Sequence, residues 1–108
     1  MSVSTGNPGE LARQLIAALW ERSVPLISER LEELDRASED AVHGSLSPKL
    51  RSSAAETAHK LAGSLGMFGY PRGTELAREL EQLLELRGPI DAIALRQLVV
   101  ALRSSLPL

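Results

Sequence analysis

Apolar residues recur at three- and four-residue intervals along most of the 108-residue chain, a spacing that predicts amphipathic helices. The first helix is predicted from about Glu10 to Arg22, with Leu11, Leu15, Ala18 and Leu19 on one side and Trp20 near its end. A second helix is predicted to restart at Pro25, because proline suits the first turn of a helix and disrupts an interior. It ends near Gly44, and its apolar stripe comprises Val24, Ile27, Leu31 and Leu34.

Three further helices follow from the same rules. Ser47 and Pro48, an N-cap and a proline at the first helical position, open a third helix that ends in the turn from Gly66 to Gly69. A fourth opens at 71–74 and is terminated by Gly88-Pro89, and a fifth ends before Pro107. Their apolar stripes are Leu50, Ala54, Ala58, Leu61, Leu65 and Phe68, then Leu76, Leu80, Leu83 and Leu84, then Ile93, Leu95, Leu98, Val99 and Leu102.

The predicted fold class is all-α. Strand signals are absent, and four long helices with short connections favour an up-and-down antiparallel four-helix bundle with an additional short N-terminal helix across one end. Residues 10–106 are predicted to form this single domain. Residues 1–9 are small and polar with two glycines and a proline, and they are predicted to be a flexible tail.

The amino-acid composition argues against several classes of partner and binding site. Twelve basic and fourteen acidic residues give a net charge of -2 with both signs interspersed, which argues against nucleic acid or a membrane surface as partner. No apolar run approaches the roughly 20 residues that span a bilayer. The chain has no cysteine and two histidines, so neither a disulfide framework nor a metal site is expected, and the expected location is the cytoplasm.

His59 is the candidate reactive residue. At 100° per residue it lies almost opposite the apolar stripe of the third helix, so its imidazole is predicted to face water. The neighbours one and two turns away are small and leave a flat patch around the ring: Ser52, Ala55, Ala62, Gly63 and Gly66. An imidazole is substantially unprotonated at physiological pH and is then a nucleophile. By periodicity alone His59 is equally an ordinary surface residue, the glycines equally packing positions, and His43 a cap at the end of the second helix.

The run His59-Lys60-Leu61-Ala62-Gly63-Ser64-Leu65-Gly66-Met67-Phe68-Gly69, followed by an acidic helix with Glu75, Leu76, Leu80, Glu81 and Leu84, resembles the core of histidine-containing phosphotransfer (Hpt) domains. The resemblance implies a helical bundle whose exposed histidine, here His59, accepts a phosphoryl group from a receiver-domain aspartate and donates it to another. It implies response-regulator receivers and an upstream sensor histidine kinase as partners, and no kinase activity in this chain. It also implies no bound cofactor, since the receiver brings the divalent metal. Gly63, four residues after the histidine, then leaves room for the phosphate.

The site departs from the family at one position. The family usually has a lysine three residues after the histidine, where this chain has Ala62, and the nearby lysine is Lys60. Lys60 is turned by about 100° along the helix and reaches a phosphate on His59 only through its flexible stem. Lys60, Ala62, Gly63 and Gly66 are the predicted supporting residues, with Arg72 or Arg78 as further candidates for the missing charge.

This departure keeps a second function open, a non-catalytic adaptor that binds receivers through the same face. A third possible function is a plain helical dimerisation module. The chain is expected to be a monomer. Leu11, Ile16 and Met67 are candidates for an apolar docking surface or, equally, for the core.

Overall fold

Four helices make up residues 7–108, the part of the chain that the computed structural model describes. They are α1 (Pro8–Val42), α2 (Pro48–Phe68), α3 (Pro71–Glu85) and α4 (Ala92–Ser104). Residues 1–6 of the predicted tail lie outside the described residues, and α1 begins at Pro8 rather than Glu10. The all-α class and the four-helix bundle are confirmed.

The helices form a closed cycle of neighbours. α1 packs against α2, α2 against α3, α3 against α4, and α4 against α1, whereas the diagonal pairs do not pack. The connections at 43–47, 69–70 and 86–91 are short, as antiparallel neighbours require. Between the helices lies a leucine-rich core whose fully buried members include Ile27, Leu31, Leu34, Leu61, Leu65, Leu80, Leu95, Val99 and Leu102.

The prediction of a separate N-terminal helix is wrong. α1 is continuous for 35 residues, and Pro25 lies in its interior. Proline removes one backbone hydrogen bond at this point, the one to the carbonyl of Glu21. Trp20 and Ile27, on either side of Pro25, are both buried on the same face of α1, so packing against one bundle holds the helix together across the proline.

The N-terminal part of α1 extends beyond the bundle. Trp20 packs edge-to-face against Phe68 and at a tilt against Tyr70, with ring-centroid distances of 5.3 and 4.7 Å, and this aromatic cluster covers the end of the core. Every residue from 7 to 19 is exposed, and the molecule measures 65 Å in length but about 20 Å in each other direction. α1 therefore leaves the bundle at Trp20 as a single unpacked helix.

Residues that favour helix capping occupy the observed helix ends. The side chains of Asn7, Ser47 and Asp91 accept hydrogen bonds from the backbone N–H groups of residues 10, 50 and 94. Gly69 ends α2 with a φ of 80°, a left-handed conformation that glycine adopts without steric cost. Leu50 and Ile93, expected in the core, are exposed because they lie in the first turns of their helices at the margin of the bundle. None of the described helices has the length and apolarity to cross a membrane.

Candidate functional site: a histidine at the edge of the α2–α3 interface

His59 lies on α2 beside α3, and its side chain is 73% exposed. The predicted exposure is therefore confirmed, but its position opposite the core is wrong. Ala55 and Ala62, which flank His59 one turn away on each side, are buried because α3 covers them. The buried face of α2 is wider than the apolar stripe alone indicated, and it ends at His59.

Glu81 of α3 fixes the orientation of the imidazole. Its Oε2 lies 2.9 Å from His59 Nδ1, and the Glu81 side chain is only 21% exposed. An ionised carboxylate only accepts hydrogen bonds, so Nδ1 carries the proton and donates it to Glu81. In the neutral imidazole the other nitrogen, Nε2, then holds the free electron pair and faces solvent.

A groove of about 770 Å³ opens beside His59 between α2 and the end of α3. Arg51, which no motif or spacing in the sequence singles out, holds the wall of this groove in place. The Arg51 guanidinium donates to the backbone carbonyls of Leu84 at 2.8 Å, of Gly88 at 2.7 Å, and of Leu86. Leu84 lies in the last turn of α3, whose carbonyls have no helical partner, and Leu86 and Gly88 lie in the α3–α4 connection. Arg51 thus ties this connection to α2.

The predicted glycines differ in their surroundings. A Cβ added to Gly63 would meet no atom within 4 Å, so no packing contact requires glycine at this exposed position. A Cβ on Gly66 would stand 3.7 Å from Thr74 Oγ1, an ordinary contact with α3. The alternative that Gly63 is a packing residue is therefore wrong, and the surface around Gly63 is open.

Two contacts fix the antiparallel register of α2 and α3. His59 meets Glu81, and Gly66 approaches Thr74. Because α2 and α3 are antiparallel, three residues forward from His59 on α2 correspond to three residues back from Glu81 on α3. Arg78 therefore lies level with Ala62, one turn from His59. Arg78 is exposed and makes no ion pair with any residue in 7–108. Within residues 7–108, Arg78 is thus an exposed cation without an ion-pair partner, and it stands at the level of the position where the family has its lysine.

The other basic candidates are placed differently. Lys60 is exposed and lines the groove with His59. Arg72 lies at the start of α3, where it pairs with Glu75 at 3.4 Å, roughly two turns of helix further from His59 than Arg78. Between residues 7 and 108 no three His, Cys, Asp or Glu side chains come close enough to hold a metal ion.

Comparison with known proteins identifies the fold family. The family model of the Hpt domain matches residues 18–105. The chain belongs to the Hpt family. Over 105 residues it is also 32% identical to protein RcaC of Microchaete diplosiphon; the match covers 92% of this chain and 16% of RcaC, so the chain spans about one sixth of that relative's length. No solved structure matches significantly. As an Hpt domain, the chain is a histidine phosphotransfer module of two-component phosphorelays.

The remaining sequence predictions can be placed on this Hpt domain. His43 is the C-cap of α1, and its Nδ1 lies 2.8 Å from the carbonyl of Glu39, as a capping residue requires. Leu11, Ile16 and Met67 are exposed, so their assignment to the core is wrong. Glu81 was visible only as one of several acidic residues in the α3 motif, because nothing in the sequence shows which of them faces His59.

Proposed function

We propose that His59 is the phosphoacceptor of this Hpt domain and exchanges a phosphoryl group with the aspartate of receiver domains. The observation that carries the proposal is the hydrogen bond from His59 Nδ1 to Glu81, because it leaves Nε2 as the exposed nucleophile. Phosphoryl transfer depends mainly on positioning and on charge neutralisation, so a rigidly oriented imidazole is the main requirement on this side of the reaction.

The step conserves protons. The Nε2 electron pair of His59 attacks the phosphorus of the aspartyl phosphate, an N–P bond forms, and the P–O bond to the aspartate breaks. The aspartate leaves as a carboxylate with the bonding electrons. Nδ1 keeps its proton throughout, and the positive charge that develops on the ring is stabilised by the Glu81 carboxylate 2.9 Å away. The reverse reaction uses the same groups.

Gly63, Arg78 and Lys60 support the phosphorylated state in this proposal. Gly63 leaves the surface beyond His59 free for the approaching receiver. Arg78 supplies the cation that Ala62 lacks, with Lys60 on the groove side as the second positive charge. The chain itself holds no cofactor in this scheme, and the divalent metal belongs to the receiver. An upstream sensor kinase supplies the phosphoryl group, and the relay operates in the cytoplasm.

The adaptor without phosphotransfer is the second candidate, and it is favoured by the burial of Ala62. Ala62 lies under α3 at 5% exposure, so the chain has no side chain at the usual lysine position that points directly at the phosphate. The guanidinium of Arg78 stands at the same level and has no ion-pair partner within residues 7–108, which favours the active relay over the adaptor.

The test is transfer from a radiolabelled, phosphorylated receiver domain of the same organism to the purified chain. Acid-labile, alkali-stable label is expected on the wild type and on His43→Gln, and none on His59→Gln. His43→Gln is the matched control because it removes the chain's other histidine. Receiver binding without any label on the wild type would establish the adaptor instead.

A further inference from the structure

The exposed part of α1 carries a second apolar face that the Hpt site does not use. Leu11, Leu15, Ile16 and Leu19 are between 42% and 65% exposed, and they lie on a length of helix that no other element within residues 7–108 covers. A single helix of about 12 residues is marginally stable in water by itself. This segment therefore lacks the tertiary contact that normally stabilises an amphipathic helix.

Two residues of this face, Leu15 and Leu19, belong to a series of exposed positions with the spacing of a helix–helix seam. The exposed positions Ala12, Leu15, Leu19, Arg22 and Leu26 follow one another at intervals of three, four, three and four residues. This is the alternation at which one helix packs against another in a coiled coil. The seam is turned away from Trp20, Ile27 and Leu31, the residues by which α1 packs on its own bundle. A partner helix can therefore lie along the seam without disturbing the core.

We infer that a second copy of this chain covers the seam, with the two α1 helices antiparallel. In that arrangement Leu15 of one copy packs against Leu19 of the other, twice by symmetry, at the centre of the contact. Arg22 packs against Ala12, where the small side chain leaves room for the arginine stem and the guanidinium reaches solvent at the edge. Leu26 meets the first turn of the opposite α1. The face is thus complementary to itself, as a two-fold interface requires.

The charges favour the antiparallel orientation over the parallel one. Parallel helices would bring Arg22 against Arg22 and, one turn beyond Leu26, Glu29 against Glu29. In the antiparallel pair Glu29 lies beside the N-terminus of the opposite α1, which carries a partial positive charge. The antiparallel pair therefore separates the like charges and places Glu29 near a partial positive charge.

Such a dimer leaves both phosphotransfer sites open. α1 packs against α2 and α4 but not against α3, so it lies diagonally across the bundle from α3. His59 sits at the α2–α3 edge on Glu81, away from the α1 seam. The dimer replaces the monomer expected from the sequence and presents two independent histidines on outward faces.

Sedimentation equilibrium of the full chain over a concentration series tests the inference. The wild type is expected to approach the mass of two chains as concentration rises, whereas Leu15→Glu stays at the mass of one. Ile93→Glu is the matched control, since Ile93 is 71% exposed on α4, and it is expected to dimerise like the wild type. A wild type that stays monomeric at all concentrations would overturn the inference, and reduced label transfer to Leu15→Glu in that case would assign the face to the receiver.

Cysteine cross-linking tests the orientation, because the chain has no cysteine of its own. A mixture of Leu15→Cys and Leu19→Cys is expected to form disulfide-linked dimers under mild oxidation at a yield at least several-fold above either variant alone. Efficient cross-linking of Leu15→Cys alone would contradict the antiparallel pair. Label transfer to His59 should remain unchanged in Leu15→Glu, which separates failure of this interface from failure of the phosphotransfer proposal.

Discussion

Glu81 on α3 accepts a hydrogen bond from His59 Nδ1 on α2 over 2.9 Å, and this bond determines which ring nitrogen is free. The acceptor is largely shielded while the imidazole is exposed. The bundle therefore holds the nucleophile from behind and presents its reactive atom to a partner.

Replacing Glu81 tests that relationship. Glu81→Ala is expected to slow phosphoryl transfer about 10-fold, because the ring loses both its orientation and the carboxylate that stabilises its developing charge. The transfer rate of Glu81→Gln should fall between those of Glu81→Ala and the wild type, since its amide oxygen still accepts a hydrogen bond from Nδ1. Glu85→Gln, one turn along α3 beside the same groove, is the control and should transfer at the wild-type rate. Single-turnover label transfer measures the rates, and equal rates for Glu81→Ala and wild type would contradict the assigned role.

Gly63→Ala is expected to change stability and function in opposite directions. A methyl group there meets no atom within 4 Å, and alanine is the better helix former, so the free energy of unfolding should rise by about 0.5–1 kcal/mol. The same methyl stands on the surface that an approaching receiver must reach, so transfer should fall roughly 10-fold. Urea unfolding and label transfer measure the two effects. A stabilised variant with undiminished transfer would show that the open surface is not needed.

Arg78 is expected to stabilise phosphorylated His59. Arg78→Ala should slow transfer or shorten the lifetime of the phosphohistidine by roughly 2- to 5-fold, the size of an exposed charge interaction. Arg78→Lys should retain most of the wild-type behaviour, because it keeps a cation at the same exposed position of α3. Arg72→Ala serves as control. If Arg72→Ala has the larger effect, the charge comes from the start of α3 and the inferred register does not govern the site.

Arg51 is expected to matter for stability. Arg51→Ala removes three hydrogen bonds to backbone carbonyls of the α3–α4 connection and should lower the free energy of unfolding by about 1–3 kcal/mol. Arg51→Lys should lose most of the same stabilisation, because one ammonium group cannot reach three carbonyls as the planar guanidinium does. Chemical denaturation measures both. A loss below about 0.5 kcal/mol in Arg51→Ala would mean that α4 packing alone holds the connection.

Local information in the sequence was sufficient for much of this domain. The caps at Ser47 and Gly69, the four-helix bundle and the exposure of His59 all follow from residues within a turn or two of one another. The continuity of α1 through Pro25 did not follow from local information, because packing of Trp20 and Ile27 on one bundle outweighs the lost backbone hydrogen bond. Helix propensity is a local quantity, and tertiary contacts override it here.

The sequence by itself determined the helices, their apolar faces and the candidate nucleophile, since these depend on periodicity along one chain segment. Only the tertiary structure decided that Ala62 is buried, that Glu81 rather than Glu75 meets His59, and that Arg78 stands level with Ala62. Those facts depend on the register between α2 and α3, which is set when two whole helix faces pack together. No spacing within either helix contains that information.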